Sequence, residues 1–377
     1  MNKSKIWLSS PHMGGNEQKF VQQAFDSNWV APLGPNVSGF EQDLEQYLEQ
    51  EVFVGALSAG TAALHLGLIL LGVEHQDEVI CQSMTFSASA NPIRYLGATP
   101  VFVDSEPDTW NMCPLALEEA IQDRMVKGKK PKAIIAVHLY GMPFKADEIK
   151  AIAQKYDIPV LEDAAEALGS TYKGQKCGTL GDIGVLSFNG NKIITTSGGG
   201  ALVTHTQEQK DKAVFLSTQA RDNAPHYQHS HIGYNYRMSN ICAGIGRGQM
   251  EVLDKHIELR RKMHRFYVEL FRNAEGVTVF SEPGEAYRSN HWLSCVVLDS
   301  YQSRENLRLA LESENIESRP LWKPMHLQPV FEKYPYYGDT VAQELFERGL
   351  CLPSGSNLSD SDRERIKEVI SSHFNNQ

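Results

Sequence analysis

The sequence predicts an α/β fold with a mainly parallel β-sheet and helices on both of its faces. From residue 52 onward, short apolar runs alternate with segments of helical periodicity, the pattern of successive strand–helix–strand units. A chain of 377 residues can also bury a sizeable core and divide into a large and a smaller domain. A long charged helical pattern begins near residue 250. We therefore expect a large domain over 1–250, and a linking helix with a small C-terminal domain over 251–377.

The first 51 residues contain loops and two predicted helices. Apolar residues at helical spacing predict helices over 17–27 and 37–51, whereas 29–35 is too rich in proline and glycine to be regular. Loops at the head of the chain suit contact with a substrate or a partner subunit. We therefore include His12 and Leu33 as candidate substrate contacts, with plain surface coil as the alternative.

The rest of the chain supplies the strands and helices of the sheet. Apolar runs predict strands at 52–57, 78–82, 99–104, 132–139, 158–162 and 292–298. Helical patterns begin at residues 58, 85 and 241 and cover 115–126, 145–156, 208–217, 250–273, 304–314 and 359–374. In parallel sheets ligands bind beyond the carboxyl ends of the strands, so the residues that follow each strand are the first candidates for a site.

Two of these strand ends carry groups suited to charged ligands. Gly60 and Thr61 open the helix after the first strand, where free backbone N–H groups and the helix dipole can bind an anion. The alternative is that Ser58 simply caps this helix. Asp163 follows the strand at 158–162, and an acid there either caps the next helix or pairs with a buried cation such as a pyridinium nitrogen.

Residues 184–200 are the stretch around which the chain is organised. An apolar run ends at Ser187, a polar Asn-Gly-Asn turn leads to Lys192, and three glycines follow at 198–200. A lysine held among small and polar neighbours just after a strand can react as a neutral amine with a bound carbonyl. Glycines let the backbone approach closely where a side chain would clash. The alternative is a surface lysine on a loop.

Composition excludes several functional classes. The formal net charge of -10 argues against a broad nucleic-acid surface. The apolar run from 64 to 73 is too short to span a bilayer, and residues 1–5 lack the apolar core of a signal peptide, so we expect no membrane association. Six cysteines without paired spacing suit reduced thiols in the cytoplasm. His226, His229 and His231 have metal-compatible spacing but no supporting cysteine or acid, so we expect no metal site.

A basic, proline-stiffened segment lies in the predicted small domain. Residues 318–326 contain the cationic and aromatic side chains of Arg319, Trp322, Lys323 and His326, which suit contact with phosphates and stacking on a base. We expect this segment to line a pocket for an anionic substrate. A solvated basic turn is the alternative reading.

These segments together resemble the DegT/DnrJ/EryC1/StrS family of pyridoxal phosphate-dependent sugar aminotransferases, over essentially the whole chain. The resemblance is carried by the motifs at 32–34, 58–66, 85–86, 162–166, 187–192 and 233–240. It implies fold type I, with a mainly parallel seven-stranded-type sheet flanked by helices and a smaller C-terminal α/β domain. It also implies pyridoxal 5′-phosphate as cofactor and a homodimer whose subunits share their active sites.

The resemblance assigns a role to each matching residue. Lys192 would link covalently to the cofactor and move the proton, while Asp163 would pair with the pyridine nitrogen. Phe86 would stack on the ring. Gly60, Thr61 and Ser187 would hold the phosphate, together with Asn235 from the neighbouring subunit. Glu166 departs from most of the family, which has glutamine in contact with the 3-oxygen of the cofactor.

The motifs at 11–17, 189–200 and 217–221 are most similar to the branch that aminates C4 of a UDP-linked 4-keto-6-deoxy sugar in bacillosamine synthesis. The amino donor in this family is usually L-glutamate. A C3 or TDP-sugar aminotransferase of the same family is the alternative. A sugar dehydratase would lack Lys192, and a cofactor-sensing transcription regulator would need a DNA-binding domain. A nicotinamide dehydrogenase is disfavoured because no Gly-x-Gly-x-x-Gly follows the first strand.

Overall fold

The computed structural model describes residues 3–375, and helices lie between most of the strands. The helices are α1 Glu17–Asp26, α2 Pro35–Leu48, α3 Gly60–Leu70, α4 Ser87–Tyr95, α5 Pro114–Val126, α6 Ala146–Tyr156, α7 Gln207–Ser217, α8 Asn240–Met250, α9 Leu253–Leu270, α10 Tyr301–Ser313, α11 Val341–Arg348 and α12 Asp360–Asn375. The strands are β1 Phe53–Leu57, β2 Glu78–Gln82, β3 Thr99–Val103, β4 Ala133–Val137, β5 Val160–Asp163, β6 Thr171–Tyr172, β7 Gln175–Lys176, β8 Ile183–Ser187, β9 Gly200–Thr204, β10 Val277–Val279, β11 Tyr287–Arg288, β12 Ser294–Leu298, β13 Arg319–Pro320, β14 Tyr336–Tyr337 and β15 Gly349–Leu352.

The central sheet has eight strands in the order β1-β9-β8-β5-β4-β2-β3-β14. All of its strands run parallel except β9, which lies antiparallel between β1 and β8. The sequence predicts a seven-stranded-type sheet, and the eighth strand is β14, a two-residue segment from the C-terminal part of the chain that pairs with β3. The α/β fold with a mainly parallel sheet is therefore confirmed, with one short strand added at its edge.

Both faces of the central sheet are covered by apolar side chains. Successive residues of a strand point to opposite faces, so Ile80 and Ile134 belong to one apolar cluster, and Val79 and Ile135 to the other. Strands buried on both faces need near-continuous apolar runs, which explains why the sequence signal for these strands is strong. Helix α3 packs against both β8 and β9. It is therefore buried at almost every residue of its first two turns.

The C-terminal part forms a second, four-stranded sheet in the order β10-β12-β15-β13. Helices α10 and α12 pack over a third apolar cluster, which also takes in Ile6 from the head of the chain. The C-terminal part and the large sheet are interlocked through β14, and a domain division at residue 250 stays a prediction. Within residues 3–375, no helix combines the length and apolar character needed to cross a bilayer.

Several local expectations differ from the structure. Ser58 does not cap α3, because the N-cap position is Ala59, whose extended backbone carries no capping side chain. The strand predicted over 132–139 ends at Val137, since residues 139–141 form a short turn in which Tyr140 has a φ of 55°. The two-residue strands β6, β7, β11 and β14 are too short to show an alternating pattern in the sequence. The five-residue strand β9 begins at the last of three consecutive glycines, and the sequence does not separate it from that glycine-rich segment.

Candidate active site

A cavity of about 750 Å³ opens at the carboxyl edge of the central sheet. Its floor is formed by Asp163 at the end of β5, Ser187 at the end of β8, and the first turn of α3. The walls come from the N-terminal loop at Ser9 and from the C-terminal part of the chain, which contributes Trp292 and the segment 317–323. The parallel strands bring these residues to one edge, because their carboxyl ends meet there.

Most of the predicted site residues line this cavity. They are Gly60, Thr61, Phe86, Asp163, Glu166, Ser187, Lys192, Arg319, Trp322 and Lys323. The residues come from five separate stretches of the chain, and the fold brings them together around one space. Their individual roles stay predictions, whereas their convergence is a property of the structure.

Lys192 projects into the cavity from the turn after β8. Its side chain is 13% exposed, and its Nζ atom lies 3.1 Å from Oε1 of Glu166. The same Nζ lies 4.1 Å from the ring centroid of Trp292. The backbone N–H of Lys192 donates to the carbonyl of Asn189, which closes the polar turn that delivers the lysine. The amine is thus held between a carboxylate and an aromatic face.

Asp163 presents a buried carboxylate at the end of β5. Oδ2 accepts a 2.6 Å hydrogen bond from Ser89, whose hydroxyl lies 2.7 Å from that of Thr85. Oδ1 accepts from the backbone N–H of Ala165 at 3.1 Å. Burial raises the pKa of Asp163, and the bond from Ser89 acts in the opposite direction. A cation at this carboxylate would restore its charged form.

Glu166 lies on the loop after β5 and is also buried. Its Oε2 accepts from the backbone N–H of Tyr140 at 2.8 Å, a donor presented by the left-handed turn at that residue. Burial raises the pKa of Glu166 to about 7, and the charge of Lys192 opposes part of that increase. Glu166 can therefore hold or release a proton close to neutral pH.

The start of α3 is a candidate anion site. Ala59 caps the helix without a side-chain hydrogen bond, so the N–H groups of the first turn are left for a ligand. A Cβ on Gly60 would lie 3.1 Å from Cβ of Ser187, and a Cβ on Gly200 would lie 2.3 Å from the backbone N of Gly60. Glycine is needed at position 200, because a Cβ there would overlap the backbone of the helix start, whereas a Cβ at position 60 would require Ser187 to shift by a few tenths of an ångström.

The C-terminal segment forms the opposite wall. The ring of Trp322 lies 5.5 Å from that of Phe86, which is 57% exposed. Arg319 is exposed and pairs with Glu317 at 2.8 Å, and Lys323 is exposed on the same wall. The sequence interpretation of 318–326 as a pocket wall therefore agrees with the positions of Arg319, Trp322 and Lys323.

Four predicted site residues lie outside the cavity wall. His12 stacks on His256 at 4.5 Å, and His326 stacks on Tyr336 at 3.7 Å. Each ring also forms a hydrogen bond with a neighbouring hydroxyl, and neither residue lines the cavity. Leu33 is 53% exposed on the loop between α1 and α2. Asn235 is exposed, and its backbone forms an isolated β-bridge with Thr218. No role of these four residues follows from one subunit alone.

Two residues of the site escaped the sequence interpretation. Ser89 carries a signal, because it lies in the first turn of α4, four residues after Thr85, and this spacing brings the two hydroxyls together. Trp292 carries none, since it precedes a strand of the C-terminal sheet and reaches Lys192 only through tertiary folding.

A buried cluster of His138, Glu162 and Cys177 has the residue types of a metal site. The backbone N–H of Phe144 donates to Nδ1 of His138, so the proton lies on Nε2, which donates to Glu162 at 2.7 Å. Glu162 also accepts from three backbone N–H groups, those of Gly178, Leu180 and Gly181. With its lone pairs used in this way, the cluster serves to hold the loop at 177–181 rather than an ion. His226, His229 and His231 are exposed and point to separate partners.

These residues fit pyridoxal phosphate. Around one cavity lie a lysine amine, a buried carboxylate that forms no ion pair with any of residues 3–375, and a helix start without a side-chain cap. These groups match the aldehyde, the pyridine nitrogen and the phosphate of that cofactor. The fold and the site therefore define a pyridoxal phosphate-dependent aminotransferase of fold type I.

Comparison with known proteins identifies the family. Residues 11–371 match the model of the DegT/DnrJ/EryC1/StrS aminotransferase family. EpsN of Bacillus subtilis, assigned as a pyridoxal phosphate-dependent aminotransferase, is 51% identical over 370 residues, covering 97% of this chain and 95% of EpsN. GDP-perosamine synthase of Escherichia coli O157:H7 is 37% identical over 99% of both chains. A family member from Brucella abortus superposes with a TM-score of 0.89 at 31% identity over 95% of both chains.

The chain belongs to the DegT/DnrJ/EryC1/StrS aminotransferase family. It is a pyridoxal phosphate-dependent sugar aminotransferase, as the resemblance predicts.

Proposed function

We propose that this enzyme transfers the amino group of L-glutamate to C4 of UDP-2-acetamido-2,6-dideoxy-4-hexulose, a UDP-linked 4-keto-6-deoxy sugar. The product would be UDP-4-amino-4,6-dideoxy-N-acetylglucosamine, for glycans of the bacillosamine type. One observation carries the proposal. The cavity holds Lys192 and Asp163 on its floor and the basic side chains of Arg319 and Lys323 on its wall.

Each residue of the floor has a task in this proposal. When bound, pyridoxal phosphate supplies an electron sink for the reacting carbon. Lys192 would hold the cofactor covalently and, as a free amine, would move a proton at the reacting carbon as general base and acid. The buried carboxylate of Asp163 would keep the ring nitrogen of the cofactor charged. Ser89 fixes the orientation of this carboxylate through the 2.6 Å hydrogen bond.

The phosphate would be held at the start of α3. Three groups would bind it: the backbone N–H groups of Gly60 and Thr61 and the hydroxyl of Ser187. These groups lie close together because the end of β8 approaches the helix start. Phe86 lines the cavity and offers an aromatic face to the cofactor ring. Glu166 is within reach of Lys192 and can exchange a proton with it.

The proposal includes a homodimer with shared active sites. Asn235 would complete the phosphate site of the other subunit, which is consistent with its exposed position away from the cavity of its own subunit. Large apolar side chains are exposed at the end of α1, on the loop between α1 and α2, and near residue 232, namely Phe25, Trp29, Leu33 and Ile232. Such exposed apolar side chains suit an interface between subunits.

The nucleotide-sugar would contact the C-terminal wall of the cavity. An enzyme of net charge -10 needs local cations to bind a diphosphate, and Arg319 and Lys323 are the exposed cations on that wall. A GDP-linked sugar is the second candidate, because the similarity to GDP-perosamine synthase extends over 99% of both chains.

The test is a comparison of acceptors. The enzyme is incubated with isotope-labelled glutamate and either UDP-2-acetamido-2,6-dideoxy-4-hexulose or a GDP-linked 4-keto-6-deoxy sugar. Label transfer into the nucleotide-sugar is followed by mass spectrometry, with Lys192→Ala as the inactive control. We expect label in the UDP-sugar at C4. Label in the GDP-sugar alone would overturn the proposed acceptor, and turnover by Lys192→Ala would overturn the role of the lysine.

A further inference from the structure

Arg260 is a buried cation that forms no ion pair with any acidic side chain of residues 3–375. This residue of α9 is 1% exposed, and its hydrogen bonds go to carbonyl and hydroxyl oxygens rather than to a carboxylate. Buried charges are normally paired with an opposite charge, because desolvation makes an unpaired ion costly. Burial accordingly lowers the pKa of Arg260 to about 9. The cost of burying this unpaired charge calls for an explanation, which the hydrogen-bond partners of the guanidinium suggest.

The guanidinium reaches the backbone of the catalytic turn. Nη2 donates to the carbonyl of Lys192 at 3.3 Å and to the hydroxyl of Ser9 at 2.9 Å. Nη1 donates to the carbonyl of Trp292 at 2.6 Å and to that of Ser354 at 3.4 Å. One side chain therefore joins the N-terminal loop, the turn after β8 and two segments of the C-terminal part.

The N-terminal loop, the catalytic turn and the C-terminal part are joined a second time at the carbonyl of the preceding residue, Asn191. The carbonyl of Asn191 accepts from the hydroxyl of Ser9 and from the indole N–H of Trp292, each at 2.7 Å. The indole ring of Trp292 in turn lies 4.1 Å from Nζ of Lys192. Trp292, whose ring contacts the lysine amine, is thus bonded directly to the carbonyl of Asn191 and, through Arg260, to the carbonyl of Lys192.

We propose that Arg260 is a positioning residue that fixes Lys192 against Trp292 and connects the catalytic turn to the N-terminal loop and the C-terminal wall. The proposal rests on the proposed role of Lys192, and it does not depend on which sugar is the acceptor. A guanidinium suits this task because its planar fork presents several donors in fixed directions, which the single ammonium of a lysine does not.

The test uses Arg260→Lys and Arg260→Met, with Arg261→Met as a matched control. Arg261 is the next residue of α9 and also donates to a backbone carbonyl, that of Ser289, but its ion pair with Glu282 lies away from the catalytic turn. The first readout is the rate at which the cofactor-free protein captures pyridoxal phosphate, followed by absorbance and confirmed by intact mass after borohydride reduction. The second is the single-turnover rate with glutamate alone.

We expect both Arg260 variants to lose about 10- to 100-fold in each rate, the effect of a small misplacement of a reacting group. The KM for glutamate should stay within about twofold of the wild-type value, since Arg260 is not among the residues that line the cavity. Hydrogen exchange of residues 189–194 should be faster. Arg261→Met should keep the wild-type rates. Arg260 variants with a lower melting temperature but wild-type rates would overturn the proposal, because the side chain would then serve packing alone.

A second pair of variants applies if the Arg260 variants do not fold. Ser9→Ala and Trp292→Phe each remove one donor to Asn191 while leaving Arg260 in place. Slower capture of pyridoxal phosphate in both, with faster exchange at 189–194, would support the network, and unchanged capture in both would overturn it. Covalent capture by Lys192→Ala would instead refute the proposed role of Lys192, an outcome distinct from failure of the positioning network.

Discussion

The amine of Lys192 and the carboxylate of Glu166 face each other across 3.1 Å at the floor of the cavity. Burial is the largest influence on Glu166 and raises the pKa of this carboxyl group to about 7, so that it gains or loses a proton near neutral pH. Most of the family, by the resemblance of the sequence, has a neutral amide at this position. Glu166 thus adds a titrating group beside the reactive amine.

Glu166→Gln should change how stability depends on pH. A folded-state pKa above the unfolded value of about 4.5 means that the native protein binds the extra proton, so wild-type stability falls as pH rises from about 4.5 to about 7. The stability difference between variant and wild type should therefore shift in favour of the variant by about 2 kcal/mol between pH 5.5 and 8. Denaturant titration of the cofactor-free proteins at equal concentration measures this shift. A pH-independent difference would show that Glu166 does not titrate in this range.

Gly60→Ala should weaken cofactor binding. The new Cβ would meet Ser187 at 3.1 Å, so either the helix start or the serine must move away from the phosphate position. We expect the dissociation constant for pyridoxal phosphate to rise about tenfold, equivalent to 1.4 kcal/mol. Gly55→Ala is the matched control, since a Cβ in the middle of β1 meets nothing within 4 Å. Equal affinities for the two variants in an absorbance titration would contradict the assignment of the phosphate site.

The sequence predicts the floor of the site better than its walls, for a physical reason. Asp163 and Ser187 follow apolar strands, and parallel strands bring such residues to one edge whatever the rest of the chain does. Trp292 reaches Lys192 from about a hundred residues away, through packing of the C-terminal part that no local pattern encodes. The two-residue strand β14 is likewise formed by tertiary contact alone. The raised pKa of Glu166 depends on burial, which its loop position in the sequence does not reveal.

Mixing two inactive variants should restore activity if the sites are shared between subunits. Lys192→Ala and Asn235→Ala each damage both sites of a homodimer, whereas a hybrid dimer has one doubly damaged site and one intact site. At equal amounts with free exchange, about one quarter of all sites should be intact. Turnover is measured after subunit exchange has been verified with differently tagged chains. Exchange without recovered turnover would place Asn235 outside the partner's site.

Loss of the cations on the C-terminal wall should affect one half-reaction and spare the other. Arg319→Ala and Lys323→Ala each remove a charge that the diphosphate would contact, and the KM for the nucleotide-sugar should rise about tenfold for each 1.4 kcal/mol lost. Glutamate carries no diphosphate, so its single-turnover rate should stay at the wild-type value. Glu317→Gln should lower the same KM, because Glu317 pairs with Arg319 and adds a negative charge to this wall. Lys333→Ala, outside the cavity lining, is the control. An equal loss in both half-reactions would instead assign this wall to folding or closure, since only a group that contacts the diphosphate can distinguish the two substrates.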